Sequence, residues 1–300
     1  MYSIKKESVA GLGLFFLSSV VFAESYQQEI SLSYSASDSE YSSGTTSRGE
    51  SETDTYSGRY QYYWSPVNTK NVPLAEADFM ARAAGLDLEV THYSGSNVRY
   101  GALPGRSNFS GDFFYLNADY AVSKDMLLGV AYQYSDFEFG SSSSSSKDQG
   151  IALEAGYYIG EFTMLGLMIA RDREEDDQDG RSYSSFHGLL VKSVLELSGK
   201  KFLALEAFLL GTDSVPEDES KRLSLEAIFY FSTNTGIGGR YFHTFDEGAD
   251  VLATDSYSLN ISHFFTKELS VSLSATRWEN NDSDLNYESD EFSIELAKRF

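Results

Sequence analysis

The chain has 300 residues, with 45 acidic side chains against 23 basic ones, no cysteine, and 15% aromatics that include 21 tyrosines and 21 phenylalanines. A formal net charge of −22 repels nucleic acid, so no nucleic-acid partner is expected. Without cysteine, a small disulfide-stapled secreted domain is excluded.

The first 23 residues have the layout of a secretory signal. Lys5 and Lys6 form a basic start, Gly11 to Phe22 an apolar stretch, and Val21-Phe22-Ala23 a cleavage site before Glu24. The apolar run is too short to span a membrane comfortably, and a polar segment follows at once. Cleavage leaves 24–300 as a single domain, one unit more negative than the full chain because two lysines and Glu7 are lost. No later stretch is long and apolar enough for a transmembrane helix.

From there the chain alternates. In 268–278, Leu269, Val271, Leu273 and Ala275 share one face while Ser270, Ser272, Ser274 and Thr276 share the other. That period of two marks a strand with one oily and one wet side. The pattern predicts about 14 strands, with 12 or 16 as alternatives: 26–35, 54–65, 79–93, 112–122, 126–139, 150–159, 162–172, 182–197, 201–212, 222–232, 236–246, 256–265, 268–279 and 290–300. Each is near the ~9–11 residues that a tilted strand needs to cross a membrane. Between them long connections (36–53, 94–111, 140–149, 173–181, 213–221, 247–255, 280–289) alternate with short ones. The short ones are Ser123-Lys124-Asp125, Gly160-Glu161, Ser198-Gly199-Lys200, Thr233-Asn234-Thr235 and Thr266-Lys267, with 66–78 as a longer exception containing two prolines. This rhythm belongs to a transmembrane antiparallel β-barrel with short periplasmic turns and longer extracellular loops, placed in the cell outer membrane. Two segments fit poorly, because Thr163 to Ala170 is apolar on both faces and 202–210 is interrupted only by Glu206. In the third strand the parity shifts next to Gly85, which predicts a β-bulge.

Two stretches resemble known proteins. Tyr62-Tyr63-Trp64-Ser65-Pro66-Val67, followed by Pro73-Leu74-Ala75-Glu76-Ala77-Asp78-Phe79, is similar to a signature of a general porin family of Gram-negative bacteria. Val72 and Asp78 depart from it, replacing a glycine and an alanine. The residue-level reading of the motif is a first tight hairpin with Tyr62 and Trp64 in the aromatic girdle. The alternating end Phe292, Ile294, Leu296 and Phe300 resembles the C-terminal sorting signal of outer-membrane barrels, with Lys298 departing from it. The resemblances imply a pore with no catalytic residues, and the barrel assembly machinery, outer-membrane lipid and lipopolysaccharide as partners.

A barrel of ~14 strands is too wide for side chains to fill, so a lumen is expected. Its inward-facing set is expected to include Arg59, Arg82, Asp87, Glu89, Asp119, Glu154, Glu206, Glu226, Arg240, Glu295 and Arg299. Carboxylates exceed arginines there, and acidic loops (Glu174 to Asp177 with Asp179, and Glu217 to Glu219) add to the field, so a weak preference for cations follows. The function expected is passive diffusion of small hydrophilic solutes and ions. A sugar or oligosaccharide channel, with Tyr63, Tyr115, Tyr158 and Tyr230 stacking on the solute, is the first alternative, and an adhesion or structural barrel the second. His243 and His263, on neighbouring strands, have no catalytic motif around them, and His92 and His187 no recognisable partners, so no enzyme is expected. No cofactor or metal is called for: the acidic run 172–180 lacks EF-hand spacing. The 140–149 loop is too short for an inward constriction, and oligomeric state stays open between monomer and trimer.

Overall fold

A strand in hydrocarbon must have every backbone group paired within the protein, and only a closed barrel does this without leaving an edge. The computed structural model has that closure. It describes residues 24–43, 47–101, 105–140, 144–176, 180–215, 218–246, 254–281 and 285–300. The signal segment, Asp177, Asp179 and Glu217 lie outside the described residues.

Fourteen antiparallel strands follow in chain order: β1 (Ser25–Ser43), β2 (Ser47–Asn68), β3 (Gly85–Gly101), β4 (Gly105–Ser123), β5 (Met126–Phe139), β6 (Ser144–Tyr158) and β7 (Thr163–Asp176), then β8 (Gly180–Leu197), β9 (Lys201–Val215), β10 (Asp218–Ser232), β11 (Thr235–Asp246), β12 (Thr254–Phe264), β13 (Leu269–Asn281) and β14 (Leu285–Arg299). Each pairs with its sequence neighbour, and β1 pairs with β14 to close the sheet. At the seam Phe300 donates its N–H to Gln28 and its carbonyl accepts from Gln27 and Gln28, so the last residue extends the closing ladder.

The alternation sorts the side chains. Leu167 and Ile169 are 61% exposed on the outer face, the apolar band of a transmembrane barrel. Tyr62 and Trp64 also face outward, with rings edge-on at 5.6 Å, and the Trp64 indole donates to the Asp119 carbonyl at 2.7 Å. Ser270, Ser272, Ser274 and Thr276 lie on the opposite, inward face, in register with Ala297, Glu295, Ser293 and Glu291 of β14.

The structure corrects the sequence reading in three places. Strands run well into the segments expected as long loops, because a hydrogen-bonded ladder once started carries serine- and acid-rich residues of low strand propensity with it; β1 and β2 pair without interruption from Ser31–Arg59 to Ser43–Ser47. The third strand starts at Gly85, not at residue 79, and the parity shift there reflects a change of element, not a bulge. Residues Leu74–Glu76 form a 3-10 turn and Ala77–Met80 a short helix, α1. A Cβ on Gly85 would stand 2.3 Å from the Tyr62 carbonyl oxygen, so only glycine lets β3 begin this close to β2. The stretch 66–78 is accordingly no tight hairpin.

Candidate functional site in the barrel lumen

Residues 69–84, between β2 and β3, cross the tight-turn end of the barrel as a cap. The far wall from β2 in a ring of 14 strands is β9, seven strands away, and the cap reaches that side. The Leu74 N–H donates to the carbonyl of Thr233 in the β10–β11 turn at 2.8 Å. Arg299 of β14 donates to the Leu74 carbonyl at 2.7 Å. Glu76 accepts from the Tyr230 hydroxyl of β10 at 2.9 Å and pairs with Lys192 of β8 at 3.0 Å. Returning toward β3, the Phe79 carbonyl accepts from Tyr158 of β6 at 3.3 Å. Arg82 pairs with Asp125 at 2.6 Å and donates to the carbonyls of Lys124, Gly160 and Glu161 in the β4–β5 and β6–β7 turns.

Apolar packing seals these bonds. Phe79 joins Tyr158, Val194, Phe202, Ala204 and Tyr230 in one buried cluster, and Ala77 joins Tyr26, Tyr63 and Val67 in a second. Leu74, Val67 and Ala77 are almost fully buried. The guanidinium of Arg299 lies over Tyr26 and Phe264, 4.3 and 4.7 Å from their ring centres. Glu76 sits on the cap, outside the spanning strands. Burial holds its carboxyl above the usual carboxylate range, against the partial opposing pull of Lys192 and the Tyr230 hydroxyl.

Above the cap the wall is two-sided. Around β1 and β12–β14 the inward positions are mostly serine and threonine. On β7–β9 they include Met164, Met168, Leu190 and Phe208. This explains the two strands that read as apolar on both faces: one face meets lipid, and the other meets the cap and the lumen.

By register, Arg59, Asp87, Glu89, Asp119, Glu154, Glu206, Glu226, Arg240 and Glu295 share the inward face. Arg59 pairs with Asp87, Arg240 with Glu226 at 2.7 Å, and Glu206 with Lys192 at 3.6 Å. Arg299 is inward too, but it is buried beneath the cap, where it also pairs with Glu29. Arg82 is on no strand: it has a left-handed backbone (φ 53) at the end of the cap, and its side chain staples the cap to the turns. Of the four tyrosines, Tyr63, Tyr158 and Tyr230 are buried with the cap, while Tyr115 lines a lumen cavity.

Sequence reasoning missed Lys192, and missed the cap as a whole. The available signals were the length of 66–78, on a rim where every other turn is tight, and the family-like motif at 62–79. His243 and His263 lie at opposite ends of adjacent strands, opposite Asp255 and Thr235, and hydrogen-bond to those residues at 2.9 Å each. Phe292, Ile294 and Leu296 are on the outer face, and Phe300 is half exposed. Among the described residues no group of His, Asp and Glu has the arrangement of a metal site.

The family described as "Putative general bacterial porin" matches residues 16–300. No match exists among curated protein sequences. The fold is similar to the crystal structure of the Acinetobacter baumannii outer membrane protein Omp33, at 15% identity and a TM-score of 0.53 over 92% of this chain and 99% of that one. It is similar to a Pseudomonas aeruginosa FadL homologue at 8% identity and a TM-score of 0.60, over 91% of this chain and 90% of that one. It is also similar to the P. putida toluene transporter TodX at 8% identity and a TM-score of 0.56, over 93% and 91%. At these identities the likeness concerns the barrel fold alone.

Proposed function

The chain belongs to the general bacterial porin family, and we propose that it is a passive outer-membrane channel for small hydrophilic solutes and ions, weakly cation-preferring, whose periplasmic mouth is gated by the cap. Family membership and the outer-membrane barrels of the same architecture support a channel in the bacterial outer membrane. In this reading residues 1–23 are removed on export. The assembly machinery takes up the C-terminal strand carrying Phe292, Ile294, Leu296 and Phe300, and lipid and lipopolysaccharide surround the outer face.

One observation carries the gated form of the proposal. Residues 69–84 bridge the lumen between β2 and the β10–β11 turn and bury their apolar side chains against the inner wall. The bridge is held by side-chain packing and separate polar anchors, with no strand ladder of its own, so it opens at lower cost than the strands around it.

The test is single-channel recording of the refolded mature chain in planar bilayers, beside a variant in which residues 70–82 are replaced by a short glycine–serine link. The whole chain should be closed most of the time with discrete openings, and the variant should conduct steadily at a larger unitary conductance. A properly folded cap-less barrel that passes no current would overturn the channel reading. Equal conductance with and without the cap would overturn the gate.

A further inference from the structure

The inner face of β7–β9 carries more apolar surface than the cap uses. Met168, Leu190 and Phe208 lie above the cap's own cluster and line a cavity of about 460 Å³ whose charged groups are Asp119, Glu154, Glu206 and Arg240. A second cavity of about 260 Å³ shares Met168 and Glu154 and adds Phe186. Volumes of ~300–1,000 Å³, mostly apolar walls and a few convergent polar groups are the marks of small-molecule sites.

The apolar side chains lie flat against the wall. A Cβ on Gly188 would stand 2.9 Å from the Phe208 ring, and one on Gly166 would stand 3.1 Å from the Leu190 Cβ. The missing side chains of these glycines leave the space that the Phe208 ring and the Leu190 side chain occupy. The result is a smooth panel open toward the lumen. A passage for water and ions alone has no use for it, since interiors of this kind are polar.

Two of the carboxylates beside the panel have no ion-pair partner among the described residues. A Cβ on Gly129 would meet Asp119 Oδ1 at 2.5 Å and the Glu154 Cβ at 3.4 Å, so the two acidic residues flank the same glycine across the sheet. Asp119 accepts from the Asn117 amide at 3.1 Å. Among the described residues neither carboxylate forms an ion pair: Arg240, which lines the same cavity, is held by Glu226 at 2.7 Å, Lys192 by Glu76 and Glu206, and Arg59 by Asp87. Carboxylates without a counter-ion next to an apolar panel favour a ligand that brings both a positive charge and an apolar body. With three carboxylates lining the cavity against one arginine that is itself paired with Glu226, the chamber disfavours an organic anion, and a hydrated metal cation leaves the panel against water.

We propose that this chamber binds small organic cations with an apolar body, such as a protonated primary amine carrying an aromatic ring. The body packs on Met168, Leu190 and Phe208, and the ammonium meets Asp119 and Glu154. The inference rests on the channel reading and names the solute class that the channel retains.

The methionines supply the test. The chain has five, and without Met1 they are Met80, Met126, Met164 and Met168. Met126 faces outward opposite Tyr157 and serves as an internal control. The refolded barrel, labelled with ¹³C at its methionine methyls and assigned with Met168→Leu, is titrated with phenethylamine. The Met168 resonance should move saturably through the ring current, while Met126 stays in place. The pair Asp119→Asn and Glu154→Gln should weaken binding by about tenfold or more, about 1.4 kcal/mol. An unchanged Met80 signal then reports that the cap and fold are intact. Phenylacetate and 2-phenylethanol should bind at least about tenfold more weakly than the amine. A Met168 signal indifferent to phenethylamine overturns the site, and equal binding of phenylacetate overturns its charge preference. The readout needs no current: a conducting barrel with an unmoved Met168 sinks only this inference, and a silent barrel with a shifted Met168 sinks only the channel.

Discussion

Glu76 shows how one side chain couples the cap to the wall. It is 5% exposed and meets Lys192 from β8 and Tyr230 from β10, with Asp78 of the cap nearby and Glu206 of β9 behind Lys192. Burial raises the proton affinity of its carboxyl in the docked cap above that of the same group in water. The docked state therefore binds the proton more tightly than the undocked one. Docking has its full support below the ordinary glutamate value of about 4.3 and loses it as pH rises through the docked value. The channel should be more closed in acid and open more often as pH rises through that window. The docking equilibrium changes by about tenfold for each unit by which the two values differ. Glu76→Gln should flatten this dependence while leaving unitary conductance unchanged. Recordings of open probability between pH 4 and 8 decide it: the same pH profile in both proteins would mean that another group titrates.

The cap is also the element that sequence reading was least able to reveal. Strands announce themselves by alternation, so the faces taken by Leu269 and Ser270, or by Ile151 and Glu154, can be read from their immediate neighbours. Residues 69–84 have no such period. Their burial depends on Tyr158, Lys192, Phe202, Tyr230 and Arg299, which are remote in sequence and meet only when the sheet closes. The family-like motif at 62–79 did mark the segment, but a resemblance does not say where a chain points. Arg82 is the main anchor at its C-terminal end, bound to Asp125 and to three turn carbonyls, with its guanidinium 4.7 Å from the centre of the Tyr158 ring. Arg82→Asn keeps a residue type that tolerates the left-handed backbone and removes these contacts. Hydrogen bonds from a charged group contribute roughly 1.5–3 kcal/mol each, so cap opening should become at least about tenfold more frequent. Hydrogen exchange at the amides of Leu74, Ala81 and Ala83 would register it, against unchanged protection in β12 and β13. Unaltered exchange at those three amides would mean that Arg82 does not hold the cap.

At the scale of the whole barrel, the strand count and the order of the ring are legible because each connection joins neighbours and each strand repeats one simple pattern. The extent of the strands is not, because cross-strand pairing decides how far the ladder climbs past the membrane. Charge belongs to this scale as well. The acidic excess of the chain acts on ions through a field that salt screens over about 10 Å at 0.1 M and about 3 Å at 1 M. Asp119 and Glu154, in contrast, act at contact range inside the lumen. The two contributions separate by ionic strength. Potassium should be preferred over chloride in dilute salt, and the preference should fall by about half or more at 1 M as the long-range part is screened. What remains at 1 M belongs to the lumen, and the pair Asp119→Asn and Glu154→Gln should remove most of it without changing the value lost to screening. Reversal potentials under a salt gradient measure both parts. A chloride preference in dilute salt would overturn cation selectivity altogether, and a residual preference that survives the double substitution would move the selective charges from Asp119 and Glu154 to other inward carboxylates such as Glu89 and Glu295.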